Sequence, residues 1–175
     1  MDYPLFTPPP ALYEKSHFDW TLKEARAYFD WFLGQVEPRT HALRSLLHEM
    51  DQEDASELLG RVGGKIVALV HEEPFSVAGQ GSRDLTNSGY ALGADAGLLL
   101  ARPLLRKHPG VRWEIVHKPK RDMAFHLPVL VGMGPVYLDP IGGVIAELHG
   151  ILSGLRGPSF LKDAYDFWNE RAKGR

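Results

Sequence analysis

Between Thr86 and Lys107 the chain carries a helix-length segment crowded with small residues: Gly89, Ala91, Gly93, Ala94, Ala96 and Gly97. Small residues on a helix let a neighbouring backbone come close, so this segment is expected at the centre of the fold, packed on several sides. Pro103 should kink it or start a new turn, since proline lacks the backbone N–H that a helix interior uses. Pro109-Gly110 then ends it.

Such a centre needs covering elements, and the pattern supplies them. Thr21-Leu22-Lys23-Glu24 is a capping box, in which the threonine oxygen accepts from the Glu24 amide and the glutamate reaches back. Ala25, Phe29, Phe32 and Val36 follow at helical spacing, with Lys23, Arg26 and Asp30 on the other face. Pro38 is read as the stop of this helix. A second helix is expected from about Thr40, with Leu43, Leu46, Leu47 and Met50 as its stripe, broken by residues 51–54. Asp54 to Glu57 repeats the capping logic, and Leu58, Leu59, Val62, Ile66 and Leu69 continue at helical spacing. Gly60, Gly63 and Gly64 each cost about 1 kcal/mol against alanine in a helix. Residues 58–72 are therefore open between a helix, the preferred reading, and a short buried strand at Lys65 to Val70. Residues 73–84 read as a loop bearing glycine and serine.

Further along, Val111 to His117 and Met123 to Val131 read as a hairpin around Lys118 to Asp122, with Phe125, Leu127, Val129 and Val131 alternating onto one face. Pro128 suggests an edge position or a bulge. Val136 to Leu138 is a candidate third strand. Asp139-Pro140 is an N-cap followed by proline at the first helical position. Helices are expected at about 140–153 and 159–172, the last with Phe160, Leu161, Ala164, Phe167 and Trp168 as its apolar side. Residues 1–15 form a proline-stiffened arm lying over the surface, and Pro8-Pro9-Pro10 favours polyproline II over helix. The expected fold is α+β: a mainly helical single domain over residues 16–175. A small antiparallel hairpin or three-stranded sheet should lie between its fifth and sixth helical segments.

The 175 residues contain no cysteine, which excludes a disulfide scaffold, a thiol nucleophile and thiolate zinc sites. The first fifteen residues have neither a basic n-region nor an apolar h-region, so no secretory leader is read there. No apolar run approaches the ~20 residues of a membrane span. A cytoplasmic location is the expectation. The chain has no GxSxG elbow, no phosphate loop and no HExxH. Gly79-Gln80-Gly81 lacks the third glycine of a dinucleotide fingerprint and reads as plain loop. The eight histidines offer no i, i+4 pair with a carboxylate beside it. No metal and no cofactor are expected. If the hairpin turns at residues 118–122, Glu114 lies opposite His126, either as an acid/base pair with Asp122 nearby or as an ordinary cross-strand charge pair.

Charge distribution says more than the net value of −2. Residues 1–100 hold 8 basic and 15 acidic side chains, whereas residues 101–175 hold 12 and 7. Glu49, Asp51, Glu53, Asp54 and Glu57 crowd one helix junction; Arg102, Arg106, Lys107, Arg112, Lys118, Lys120 and Arg121 fall within twenty residues. Either cluster can be a solvated surface. The basic one lacks aromatic partners in register for nucleic-acid stacking, Trp113 being read as core. The acidic one could capture a basic protein by electrostatic steering, and the acidic balance of the chain favours protein over nucleic acid.

Leu22 to Leu33 (LKEARAYFDWFL) resembles the opening helix of a family of small, uncharacterised bacterial proteins. Similar blocks continue through Leu92-Gly93-Ala94-Asp95-Ala96-Gly97, Pro109-Gly110-Val111-Arg112-Trp113, Lys118 to Asp122, Pro128 to Gly132 and Asp139-Pro140, covering most of residues 20–153. Gly60 to Gly64 departs from the pattern, standing where the resemblance implies an aromatic-rich helix. Such proteins resemble the immunity proteins of bacterial toxin systems. The resemblance implies a non-catalytic protein that binds a toxin or effector and occludes its active site, and Glu49, Asp51, Glu53, Asp54 and Glu57 are its candidate contact residues. The alternatives are a small enzyme or ligand-binding protein using Glu114 and His126, or a subunit of a bacterial assembly anchored by the arm.

Overall fold

A computed structural model describes residues 3–50, 54–79 and 83–174. The fold is α+β and mainly helical, with two small two-stranded antiparallel sheets among the described residues. The capping box opens α2 (Leu22–Leu46). The Glu24 amide donates to Thr21 Oγ1 at 3.3 Å, and the Thr21 amide donates back to the Glu24 carboxylate at 2.7 Å.

Pro38 does not stop this helix, which runs 25 residues straight through it, so the separate helix expected from Thr40 is its second half. The reason lies four residues earlier. A proline ring crowds the carbonyl of residue i−4, here exposed Gly34, which has nothing within 4 Å of where a Cβ would stand. That carbonyl is free to turn to solvent. Thr40 Oγ1 donates to the carbonyls of Val36 and Glu37 at 2.9 and 3.0 Å, tying the turn around the proline.

Residues 58–72 resolve to helix: α3 spans Ala55–Val70, and Leu58, Leu59, Val62, Ile66 and Val70 are buried. Burial of that face outweighs the three glycines. Gly63 is required by packing, since a Cβ there would stand 2.4 Å from the Pro158 carbonyl oxygen.

Residues 73–84, expected as loop, hold a hairpin of β1 (Ser76–Ala78) and β2 (Arg83–Leu85), with Ser76 opposite Leu85. The Arg83 guanidinium donates to Ser76 Oγ at 2.8 Å and to the Ser76 carbonyl at 3.1 Å, while Phe75 and Leu85 enter the core. The polar composition hid those two anchors. Gln80 and Gly81 of the Gly79-Gln80-Gly81 run lie outside the described residues.

The small-residue segment is α4 (Asn87–Lys107), and residues 91–101 are all buried. It continues through Pro103 to Lys107 as one helix. Gly89, Gly93 and Gly97 share one face. A Cβ at Gly97 would meet the Pro140 carbonyl oxygen at 2.5 Å, and one at Gly93 would meet Ile145 and Leu148 at 3.0 Å. Those neighbours belong to α5 (Pro140–Leu152), so α5 lies directly on the α4 backbone. Asp139 caps α5 by accepting from the Gly142 amide at 2.9 Å. The last helix, α6 (Phe160–Lys173), packs on α3 and α4.

The second sheet, between α4 and α5, pairs β3 (Arg112–Ile115) with β4 (Pro128–Val131). Its strands are shorter than expected, and residues 116–127 form a long connection of turns in place of a tight one. The third strand reduces to one bridge, in which Leu130 and Leu138 exchange backbone bonds of 2.8 and 2.9 Å. Trp113 is partly buried and meets Phe32 edge-to-face at 4.9 Å.

In the arm, Pro10–Tyr13 is one helical turn, α1, contrary to the expectation drawn from the three prolines. Pro10 stands at its first position, where a missing N–H is harmless. Tyr3 is 6% exposed; its hydroxyl donates to Asp95 on α4, and Arg39 on α2 donates to the Leu5 carbonyl at 3.0 Å.

Candidate functional site

The acidic junction divides once it is folded. Glu49 follows the end of α2 with its carboxylate turned inward, 7% exposed, 2.6 Å from Lys65 Nζ and 3.5 Å from Arg61 Nε. Burial pushes its carboxyl up, but the two cations outweigh that and hold it below the usual range. Asp54 caps α3, its carboxylate accepting from the Glu57 amide at 3.0 Å. Glu57 is exposed in the first turn, where the helix dipole favours an acid. Asp51 and Glu53 lie outside the described residues. Asp54 and Glu57 thus stand together at one helix start, with Glu49 neutralised behind them.

The basic cluster also divides. Arg112 pairs with Glu114 at 2.8 Å on the outer face of β3, and Lys118, Lys120 and Arg121 are exposed on the connection to β4. Arg102, Arg106 and Lys107 end α4 and face α3 and α6 across a cleft of about 440 Å³. Leu58, Leu59, Leu99 and Pro103 make its apolar floor, and Asp54, Ser56, Asp166, Tyr165 and Asn169 complete its wall. The acidic and basic clusters, far apart in sequence, thus share this cleft through Asp54 and the end of α4. The sequence did carry a signal: Arg102 with Arg106, and Tyr165 with Asn169, are i, i+4 pairs that align polar groups on one side of each helix.

The charges around the cleft have defined partners. Arg102 Nε lies 3.4 Å from Glu37. Asp166 pairs with Lys162 Nζ at 2.5 Å and also accepts from Ser56; these bonds hold its carboxyl low against a smaller effect of burial. Burial raises the Tyr165 hydroxyl above its ordinary pKa, and Asp54 and Asp166 push it further the same way. Asn169 is 7% exposed and hydrogen bonds through Oδ1 to His108 Nε2 at 3.0 Å.

The Glu114/His126 pairing is corrected. Glu114 stands opposite Val129, and its carboxylate turns to Arg112. His126 falls in the long connection, at φ 66° and 8% exposed. Its Nδ1–H donates to the His17 carbonyl at 3.3 Å, while its amide donates to Val116. The extra turns of residues 116–127 shift the register that a tight hairpin would give. Asp122 is spent on the Ala124 amide and the Tyr137 hydroxyl. Among the described residues no group of three or more His, Asp or Glu could hold a metal ion, and no helix is long and apolar enough to cross a membrane.

No protein-family model, curated protein or solved structure matches this chain.

Proposed function

We propose that the chain is a non-catalytic binding protein of the immunity type, neutralising a bacterial toxin by covering its active site. Its contact face is the start of α3 with the preceding acidic residues. The observation that carries this reading is the fixed presentation of acid there. Asp54 is held by its cap, Glu57 projects from the first turn, and Glu49 is anchored behind them by Lys65 and Arg61. Carboxylates on a rigid helix start lose little freedom on meeting a basic partner. The uneven charge of the two halves of the chain adds steering. The resemblance to immunity proteins supports the same class.

The test is binding to the products of neighbouring genes, measured by surface plasmon resonance at low and high salt. One such product should bind, with an association rate that falls as salt rises. Reversing Asp51→Lys, Glu53→Lys and Glu57→Lys together, with the Asp54 cap kept, should weaken binding at least about tenfold. Unchanged affinity would remove the acidic face from the proposal, and absence of binding to any neighbour would overturn the immunity reading.

A further inference from the structure

The cleft between α3, α4 and α6 has a property that the protein-binding reading does not use: its wall holds hydrogen-bond donors without acceptors. Tyr165 is 4% exposed and Asn169 7% exposed, and they follow one another at i, i+4 on α6. Among the described residues the Tyr165 hydroxyl has no hydrogen-bond partner, and the Asn169 amide nitrogen has no acceptor, since His108 engages Oδ1 alone. The bodies of both side chains are buried, while the hydroxyl and the amide nitrogen open onto the cleft, so both can donate to a molecule held there.

Charge points the same way. Arg106 and Lys107 have no ion pair among the described residues, and Arg102 is beside them. The two acids of the cleft have fixed bonds, Asp54 with the Glu57 amide and Asp166 with Lys162 and Ser56, and both still act by their charge on Tyr165. The cations of α4 and the donors of α6 stand, with these two acids, around an apolar floor of Leu58, Leu59, Leu99 and Pro103. A volume of about 440 Å³ suits a small molecule. A bare inorganic ion would leave the floor uncovered.

We propose that this cleft binds a small organic anion: an oxyanion, phosphate or carboxylate, carried on an apolar body. The oxyanion sits between Arg106, Lys107 and the two donors of α6, and the body covers the leucine floor. Tyr165 keeps its proton at neutral pH, so it acts as a donor to the anion. This site borders the proposed toxin-contact face and shares Asp54 with it, but it does not rest on that reading, and its test uses no protein partner.

The experiment is an amide-detected NMR titration of the full chain with phenyl phosphate and with benzoate, using phenol and inorganic phosphate as controls. At least one aromatic anion should bind saturably, with shifts concentrated in residues 54–59, 99–107 and 165–169; which of the two binds more tightly identifies the oxyanion. Phenol and inorganic phosphate should each bind at least about fivefold more weakly, because each lacks one half of the ligand. Arg106→Gln with Lys107→Gln should weaken the aromatic anion at least about fivefold, and Tyr165→Phe about threefold, both with unchanged melting temperature. Shifts scattered over the surface, equal binding of phenol, or equal affinity in the double variant would each overturn the proposal. Equal binding of inorganic phosphate would overturn the apolar body.

Discussion

Arg39 and Asp95 meet in a fork deep in the molecule, Nε to Oδ1 at 2.6 Å and Nη2 to Oδ2 at 2.9 Å, with Asp95 wholly buried. Burial pushes the Asp95 carboxyl up, against the opposing effects of Arg39 and the Tyr3 hydroxyl. The Arg39 guanidinium also lies 5.3 Å from the centre of the Phe6 ring. Removing one partner strands the other charge. Asp95→Asn should therefore lose about 3–5 kcal/mol of stability in urea denaturation. Hydrogen exchange of residues 3–8 should accelerate along with it. The double variant Arg39→Met/Asp95→Leu should recover most of the loss, because well-packed apolar groups replace such pairs at little cost. A double variant as unstable as the single one would show that the pair has a packing role no apolar pair can fill.

Two glycines make a contrasting pair. Gly97→Ala drives a methyl group into the Pro140 carbonyl on α5, and should destabilise by about 1–3 kcal/mol. Gly64→Ala on α3 meets open space and should stabilise by about 0.5–1 kcal/mol through helix propensity. Opposite signs in parallel thermal melts are the expected result.

Pro38 is exposed and interior to α2. Pro38→Ala restores an N–H for the helix, and should stabilise by at least about 1 kcal/mol, out of the roughly 3 kcal/mol that separates the two residues in helix interiors. Denaturant midpoints at equal slope would measure it; a loss of stability would mean that the proline makes contacts beyond its helix.

Glu24 gives a pH signature. Its hydrogen bond with Lys15, followed by those with Thr21, lowers its carboxyl from about 4.5 to about 2. The folded pKa is the lower one, so the contribution is complete above 4.5 and fades as pH falls towards 2. Denaturation from pH 6 to 2 should show a shallower acid limb in Glu24→Gln than in the parent chain. Identical limbs would assign the acid sensitivity to other carboxylates, Glu49 first among them.

The sequence foretold the caps at Thr21, Asp54 and Asp139, because capping is a local pattern of a few residues. The small residues of α4 announced a central helix for the same kind of reason: they state what the neighbours can do. Pro38 misled because its effect depended on Gly34 and on exposure, which are matters of context. The Glu114/His126 pairing failed on the turns of residues 116–127, where a change of register moves every partner. The cleft was harder still. Its donors come from α4 and α6, about sixty residues apart, and only the packing of α6 against both α4 and α3 makes Arg106, Tyr165 and Asn169 neighbours. Asp54 was singled out for its charge, yet its fixed task is to hold a helix start at the lip of that cleft.

The bond from Tyr3 to Asp95 spans 92 positions. During synthesis the tyrosine leaves the ribosome long before its acceptor exists, and Arg39 waits with it for a counter-ion. The arm therefore docks only after α4 has been made and folded onto α2. Residues made well before α4 are thus among the last to find their place, and until then the ring of Tyr3 and the cation of Arg39 are both open to any other partner in the cell.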